Sequence, residues 1–121
     1  MISEKEFYDR IGGDYTDALS RLMRDTMIRK FVLKFPGDRN FAALKEAVGE
    51  ARWDDAFAYA HTLKGVSLNL AFARLSAELV RLTDLLRPQN REALDAEVVR
   101  DSFRAAEAEY AAVLKTAEEL N

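Results

Sequence analysis

The chain has 121 residues, with 18 Lys or Arg against 21 Asp or Glu, one histidine and no cysteine, for a formal charge of −3. That length makes one domain with a continuous core, while the missing cysteines exclude disulfides, zinc–thiolate sites and a cysteine nucleophile, and the lone histidine excludes a multi-histidine metal site. The mild acidity argues against nucleic acid as a partner. No apolar run approaches the ~20 residues of a membrane span and the start, MISEKEFYDR, is too charged for a signal peptide, so a cytoplasmic protein is expected.

Nearly every segment reads as helix. Tyr15, Leu19 and Leu22 follow helical spacing, with Asp14 available as an N-cap. Ile28, Phe31 and Phe35 repeat the pattern up to the turn signal Pro36-Gly37-Asp38, and Met27, Phe31 and Phe35 are expected in the core. Phe41, Leu44 and Val48 open the next helix, interrupted near Gly49. Trp53 is an expected anchor where a long helix begins. Phe72, Leu75, Leu79, Leu82 and Leu86 form an unbroken stripe ending at Pro88, and Val99, Phe103, Ala106, Tyr110, Val113 and Ala117 form another. No alternating β pattern interrupts them. The expected architecture is all-α, an antiparallel up-and-down four-helix bundle with helices near 39–50, 53–70, 72–87 and 91–119. Residues 37–121 would form the bundle, and residues 1–36 would pack on it as an N-terminal helical extension.

The segment 53–70 breaks the ordinary pattern. On a helical wheel with His61 at zero, Ala56, Tyr59, Leu63, Val66 and Leu70 cluster at about 140–220°, which is the expected core face. His61 then points to solvent, among Asp54, Phe57, Ala58, Lys64, Gly65 and Leu68. A mid-helix glycine costs roughly 1 kcal/mol relative to alanine. Helix packing does not excuse Gly65 on an outward face, but an open flank beside the imidazole does. Phe57 and Leu68 are apolar where polar residues are the rule, which suggests a docking surface. Lys64, at i+3, brings an ammonium within reach of a group carried on the imidazole, where it would stabilise a phosphoryl group. A histidine of ordinary pKa, near 6.5, is substantially neutral at cytosolic pH and is a competent nucleophile. No glycine-rich nucleotide loop and no carboxylate cluster for magnesium accompanies it.

The string His61-Thr62-Leu63-Lys64-Gly65-Val66-Ser67-Leu68-Asn69-Leu70-Ala71-Phe72 resembles the motif of the histidine-containing phosphotransfer (HPt) domain family. That motif has lysine at +3, glycine at +4, serine at +6 and usually glycine at +10. The resemblance implies a four-helix bundle that carries phosphate between receiver-domain aspartates. It implies His61 as phosphoacceptor, Lys64 as the phosphate-stabilising cation, Gly65 as the access position and a local structural role for Ser67. Ala71 departs from the motif, standing where glycine is usual. If that position needs a left-handed backbone, alanine costs roughly 1–2 kcal/mol there unless Asn69 takes the role. A polar side chain on the following helix near the histidine is also common in the family, and Thr83 or Asp84 are the candidates here.

Two functions are therefore open. One is a monomeric phosphotransfer protein working with a response-regulator receiver domain or a hybrid sensor kinase. It would dock them through Phe57, Ala58 and Leu68, bind no cofactor of its own, and rely on Mg²⁺ held by the partner receiver domain. The other is a helical-bundle adaptor or inhibitor of a signalling partner, without phosphate chemistry, which would have no need of His61, Lys64 and Gly65 together.

Overall fold

The computed structural model describes residues 1–120 and contains seven α-helices: α1 (Glu4–Ile11), α2 (Tyr15–Leu22), α3 (Asp25–Lys34), α4 (Asn40–Gly49), α5 (Trp53–Asn69), α6 (Ala73–Leu86) and α7 (Ala96–Ala117). Short 3-10 turns at Phe35–Gly37, Pro88–Ala93 and Glu118–Leu120 separate or end them, and no strand occurs among the described residues. α4 packs on α5, α5 on α6 and α6 on α7, and α7 closes back onto α4. This is the expected helical bundle, with α1 laid against α7 and α3.

Helix starts follow the placement of short polar side chains, which satisfy backbone N–H groups that the helix itself cannot. Ser3 Oγ accepts from the Glu6 N–H at 3.1 Å, Asp14 from Asp17 at 2.9 Å, and Asp95 from Glu97 at 2.9 Å. Asp95 also accounts for a boundary that differs from expectation. The last helix starts at Ala96, not near residue 91, because Pro88 begins a 3-10 turn that runs to Ala93.

The stripes of α6 and α7 are buried as expected, from Phe72 to Leu86 and from Val99 to Ala117. Two registers shift. In α3 the buried residues are Ile28 and Val32, followed by Phe35; Phe31, expected in the core, is 37% exposed, and Met27 is half-buried. Phe31 and Val32 are neighbours in sequence and both apolar, so periodicity alone does not choose between them. In α5 the buried set is Ala56, Ala60, Leu63, Ser67 and Leu70, while Tyr59 and Val66 lie half-buried at the edge. The core face is thus turned by about 40° from the expected one, and His61 stays about 140° from its centre.

The connections after α4 and after α5 share one device. Ala51 (φ 56°) and Ala71 (φ 57°) are both left-handed, and in each turn the last carbonyls of the helix are satisfied in the Schellman manner. After α5, the Phe72 N–H donates to the Ser67 carbonyl at 3.0 Å and the Ala71 N–H to Leu68 at 3.1 Å. Ala71 itself therefore takes the left-handed role, and Asn69 stays in the helix.

The N-terminal segment holds this second turn. The Tyr8 hydroxyl donates to the Leu70 carbonyl at 2.7 Å, the Asp14 N–H to Ala71 at 2.9 Å, and the Arg74 N–H to Gly12 at 3.1 Å. Gly13 permits the approach: a Cβ there would lie 3.0 Å from the Ala71 oxygen and 2.7 Å from the Tyr8 ring. Aromatic contacts continue the core from α1 into the bundle. Phe7 meets Phe72 at 6.0 Å, Phe72 meets Phe35 at 5.2 Å, Phe35 meets Tyr110 at 5.5 Å, and Tyr110 stacks on Phe41 at 3.8 Å. Phe7, Tyr8 and Ile11, none of them placed in an element by the sequence analysis, are fully buried in this one core.

Candidate functional site

α5 presents the site because its two sides differ in chemistry. The inner seam of Ala56, Ala60, Leu63 and Ser67 is buried, and the outer side carries His61, exposed, in the middle of the helix. Asp54 and Asp55 in the first turn complement the positive end of the helix dipole. Arg91 donates to Asp54 at 2.7 Å and to the Leu86 carbonyl at 2.9 Å, tying the start of α5 to the end of α6.

The imidazole does not stand free. The Phe57 ring lies one turn before it, with centroids 5.8 Å apart and planes inclined by 21°. The Arg87 guanidinium, from the end of α6, lies 6.0 Å from the Phe57 centroid, and its Nε donates to Asp84 at 2.9 Å. Sequence reasoning missed Arg87. The available signal was its position just before Pro88, at the end of the helix antiparallel to α5, which brings it level with the first turns of α5.

On the other side of His61 lies Gly65. A Cβ built there meets nothing within 4 Å, so no neighbouring helix requires the glycine. Side chains on a helix lean toward its N-terminus and cover the preceding turn. A side chain at position 65 would therefore lean over His61, and glycine leaves that approach clear. Lys64 is half-buried. Of the lysines, the ion pairs of the described residues engage Lys5 and Lys45, so the Lys64 ammonium has no carboxylate partner among those residues. Leu68 is 44% exposed, and Ala58 is exposed beside Thr62, whose hydroxyl donates to the Ala58 carbonyl at 3.1 Å.

The structure thus gathers His61, Phe57, Ala58, Lys64, Gly65 and Leu68 on one side of one helix. Neither suggested polar neighbour on α6 is free. The Thr83 side chain is fully buried and donates to the Leu79 carbonyl at 2.6 Å, while Asp84 is engaged by Arg87. Ser67 is fully buried and its hydroxyl has no hydrogen-bond partner. Among the described residues no group of three or more His, Cys, Asp or Glu is placed to hold a metal ion, and no helix is long and apolar enough to cross a membrane.

The site is convex. An apolar cleft with a polar rim lies on another flank of α5, between α2, α3 and the 3-10 turn, lined by Leu22, Phe31, Phe35, Val66 and Leu70, and His61 is not part of it. A small molecule meeting the imidazole would be held on few sides, whereas a partner bringing its own concave pocket could enclose it.

The sequence model of the Hpt domain matches residues 37–117, from the turn before α4 to the end of α7, which includes every residue of the site. No curated protein and no solved structure gives a significant match to the chain.

Proposed function

Since the chain belongs to the Hpt domain family, which assigns it a phosphotransfer role in two-component signalling, we propose that it relays a phosphoryl group to and from receiver-domain aspartates through His61. The observation that carries this reading is the pairing of an exposed, sole histidine with Gly65, a helix-weakening residue that no packing contact explains.

In the forward step an unprotonated imidazole nitrogen attacks the phosphorus of an aspartyl phosphate. The N–P bond forms as the P–O bond to the acyl oxygen breaks, and the aspartate carboxylate leaves with the electron pair. The proton on the second ring nitrogen is then lost to water. In the reverse step the second ring nitrogen takes a proton back from water, the aspartate carboxylate attacks the phosphorus, and the N–P bond breaks with its electron pair returning to the ring, which leaves as neutral imidazole. Lys64 neutralises the phosphoryl oxygens by charge-assisted hydrogen bonds, and Gly65 leaves the in-line approach open. Mg²⁺ comes with the receiver, bound in its acidic pocket, and this chain contributes no cofactor. Phe57, Ala58 and Leu68 form the apolar centre of a small, transient interface on a single copy of the chain. The partner is a response-regulator receiver domain, free or within a hybrid sensor kinase, and the encounter takes place in the cytoplasm.

The test is incubation with a phosphorylated receiver domain and Mg²⁺. The expected result is acid-labile, alkali-stable label on the wild type and none on His61→Gln. Label persisting in that variant, or its absence from the wild type across the receivers encoded in the same genome, would turn the reading toward a non-catalytic adaptor.

A further inference from the structure

Phe57 has two descriptions that lead to different chemistry. As part of an apolar surface it would contact a partner. Yet it is only half-exposed and packs against the core, and its outer contact is the His61 ring, 5.8 Å away and inclined by 21°. On its own flank it meets the Arg87 guanidinium at 6.0 Å, which Asp84 holds by a 2.9 Å hydrogen bond. Asp84, Arg87, Phe57 and His61 therefore form a supported row running from α6 to the imidazole.

We propose that Phe57 is a positioning residue for His61, an inference that rests on the reading of His61 as phosphoacceptor. The nucleophilic lone pair of an imidazole nitrogen lies in the plane of the ring. A neighbour stacked on the ring face covers a surface that takes no part in attack and leaves the reacting edge open. The helical lean of side chains toward the N-terminus brings the His61 ring onto the turn that carries Phe57. The stack removes ring orientations that point the lone pair away from a docked donor, so less freedom is lost on reaching the transition state. Leucine at this position would keep the apolar contact with the core and lose the stack. Tyrosine would keep both.

The experiment uses the whole chain as wild type, Phe57→Leu and Phe57→Tyr. Single-turnover transfer from a phosphorylated receiver domain with Mg²⁺ is followed against receiver concentration. In parallel, the ring protons of His61 are observed by NMR, where the single histidine of the chain makes them unambiguous. Phe57→Leu, which keeps an apolar side chain at the docking surface, is expected to lower the limiting transfer rate roughly tenfold, change the half-saturating receiver concentration by much less than that, and move the His61 ring protons away from their ring-current-shifted positions. Phe57→Tyr is expected to restore both. An unchanged limiting rate with a raised half-saturating concentration overturns the proposal, since it assigns Phe57 to docking alone. Unmoved ring protons in Phe57→Leu overturn it as well. If the wild type takes no label from any receiver, the relay reading falls, and the ring protons still decide whether Phe57 orients His61.

Discussion

The backbone N–H of Asp14 donates to the carbonyl oxygen of Ala71 at 2.9 Å, so the link between α1 and α2 clasps the turn that ends the His61 helix. A left-handed alanine costs roughly 1–2 kcal/mol where glycine would cost almost nothing. The clasp from Asp14, together with the Tyr8 hydroxyl on the Leu70 carbonyl, offsets that cost with bonds made outside the bundle helices.

Ala71→Gly tests the strain directly. It is expected to stabilise the fold by about 1 kcal/mol, with a rise of a few degrees in Tm, and to leave transfer from a receiver unchanged. The measurement is thermal or denaturant unfolding, with Ala51→Gly (φ 56° in the matching turn) as a parallel case. A fall in stability at residue 71 alone would mean that burying the methyl outweighs the backbone strain.

Gly65→Ala is expected to separate stability from function. The added methyl meets open space and replaces a poor helix former, so unfolding should become harder by roughly 1 kcal/mol. The methyl also narrows the open space beside His61 through which a donor approaches and should slow transfer slightly, and Gly65→Gln, long enough to lean over the imidazole, should slow it further with the fold intact. Variants that gain stability and keep full transfer rates would leave the glycine unexplained.

How much of this was legible beforehand depended on side-chain size. The buried stripe of α6 could be read from Phe72 to Leu86 because a large apolar residue recurs at every helical step along it, although Ser76 and Thr83, buried beside it, gave no such signal. The inner side of α5 could be read only in part: Ala56, Leu63 and Leu70 are buried as expected, but Tyr59 and Val66 outweighed Ala60 and Ser67 in the pattern although the latter pair is buried. His61, Lys64 and Gly65 were visible as a local spacing on one helix. Arg87, and the hold of Tyr8 and Asp14 on the α5–α6 turn, come from segments distant in sequence and become visible only once the chain is folded.

Ser67→Ala should be neutral or slightly stabilising. The hydroxyl is buried without a partner, so removing it relieves an uncompensated polar group. Ser67→Leu should cost about 1–3 kcal/mol by overpacking the seam. Denaturant midpoints of the two variants check the pair, and a clear loss in Ser67→Ala would show that the hydroxyl has a partner after all.

Alkaline pH should weaken the fold. Burial raises the Tyr8 hydroxyl above its ordinary value, and Tyr110 shifts the same way by burial and by the nearby Asp38. Both groups are neutral in folded and unfolded chains at lower pH. Above about pH 10 the unfolded chain releases these protons while the folded chain retains them, so stability falls as pH rises. Tyr8→Phe should start less stable at neutral pH by about 1 kcal/mol, through loss of its bond to Leu70, and show a shallower decline above pH 10. Unfolding free energies from pH 8 to 11 provide the comparison, and parallel slopes for the two proteins would contradict it.

The small residues on the inner side of α5 bear on the outer side as well. Ala56, Ala60 and Ser67 are fully buried small side chains, so the inner side of α5 seats close against its neighbours. Turning it enough to hide His61 would force Tyr59 or Phe57 into space shaped for a methyl group. The packing of the inner side therefore fixes what the outer side presents, with His61 held beside Phe57 and Lys64. The share of His61 rings stacked beside Phe57 in a sample should therefore follow the folded fraction.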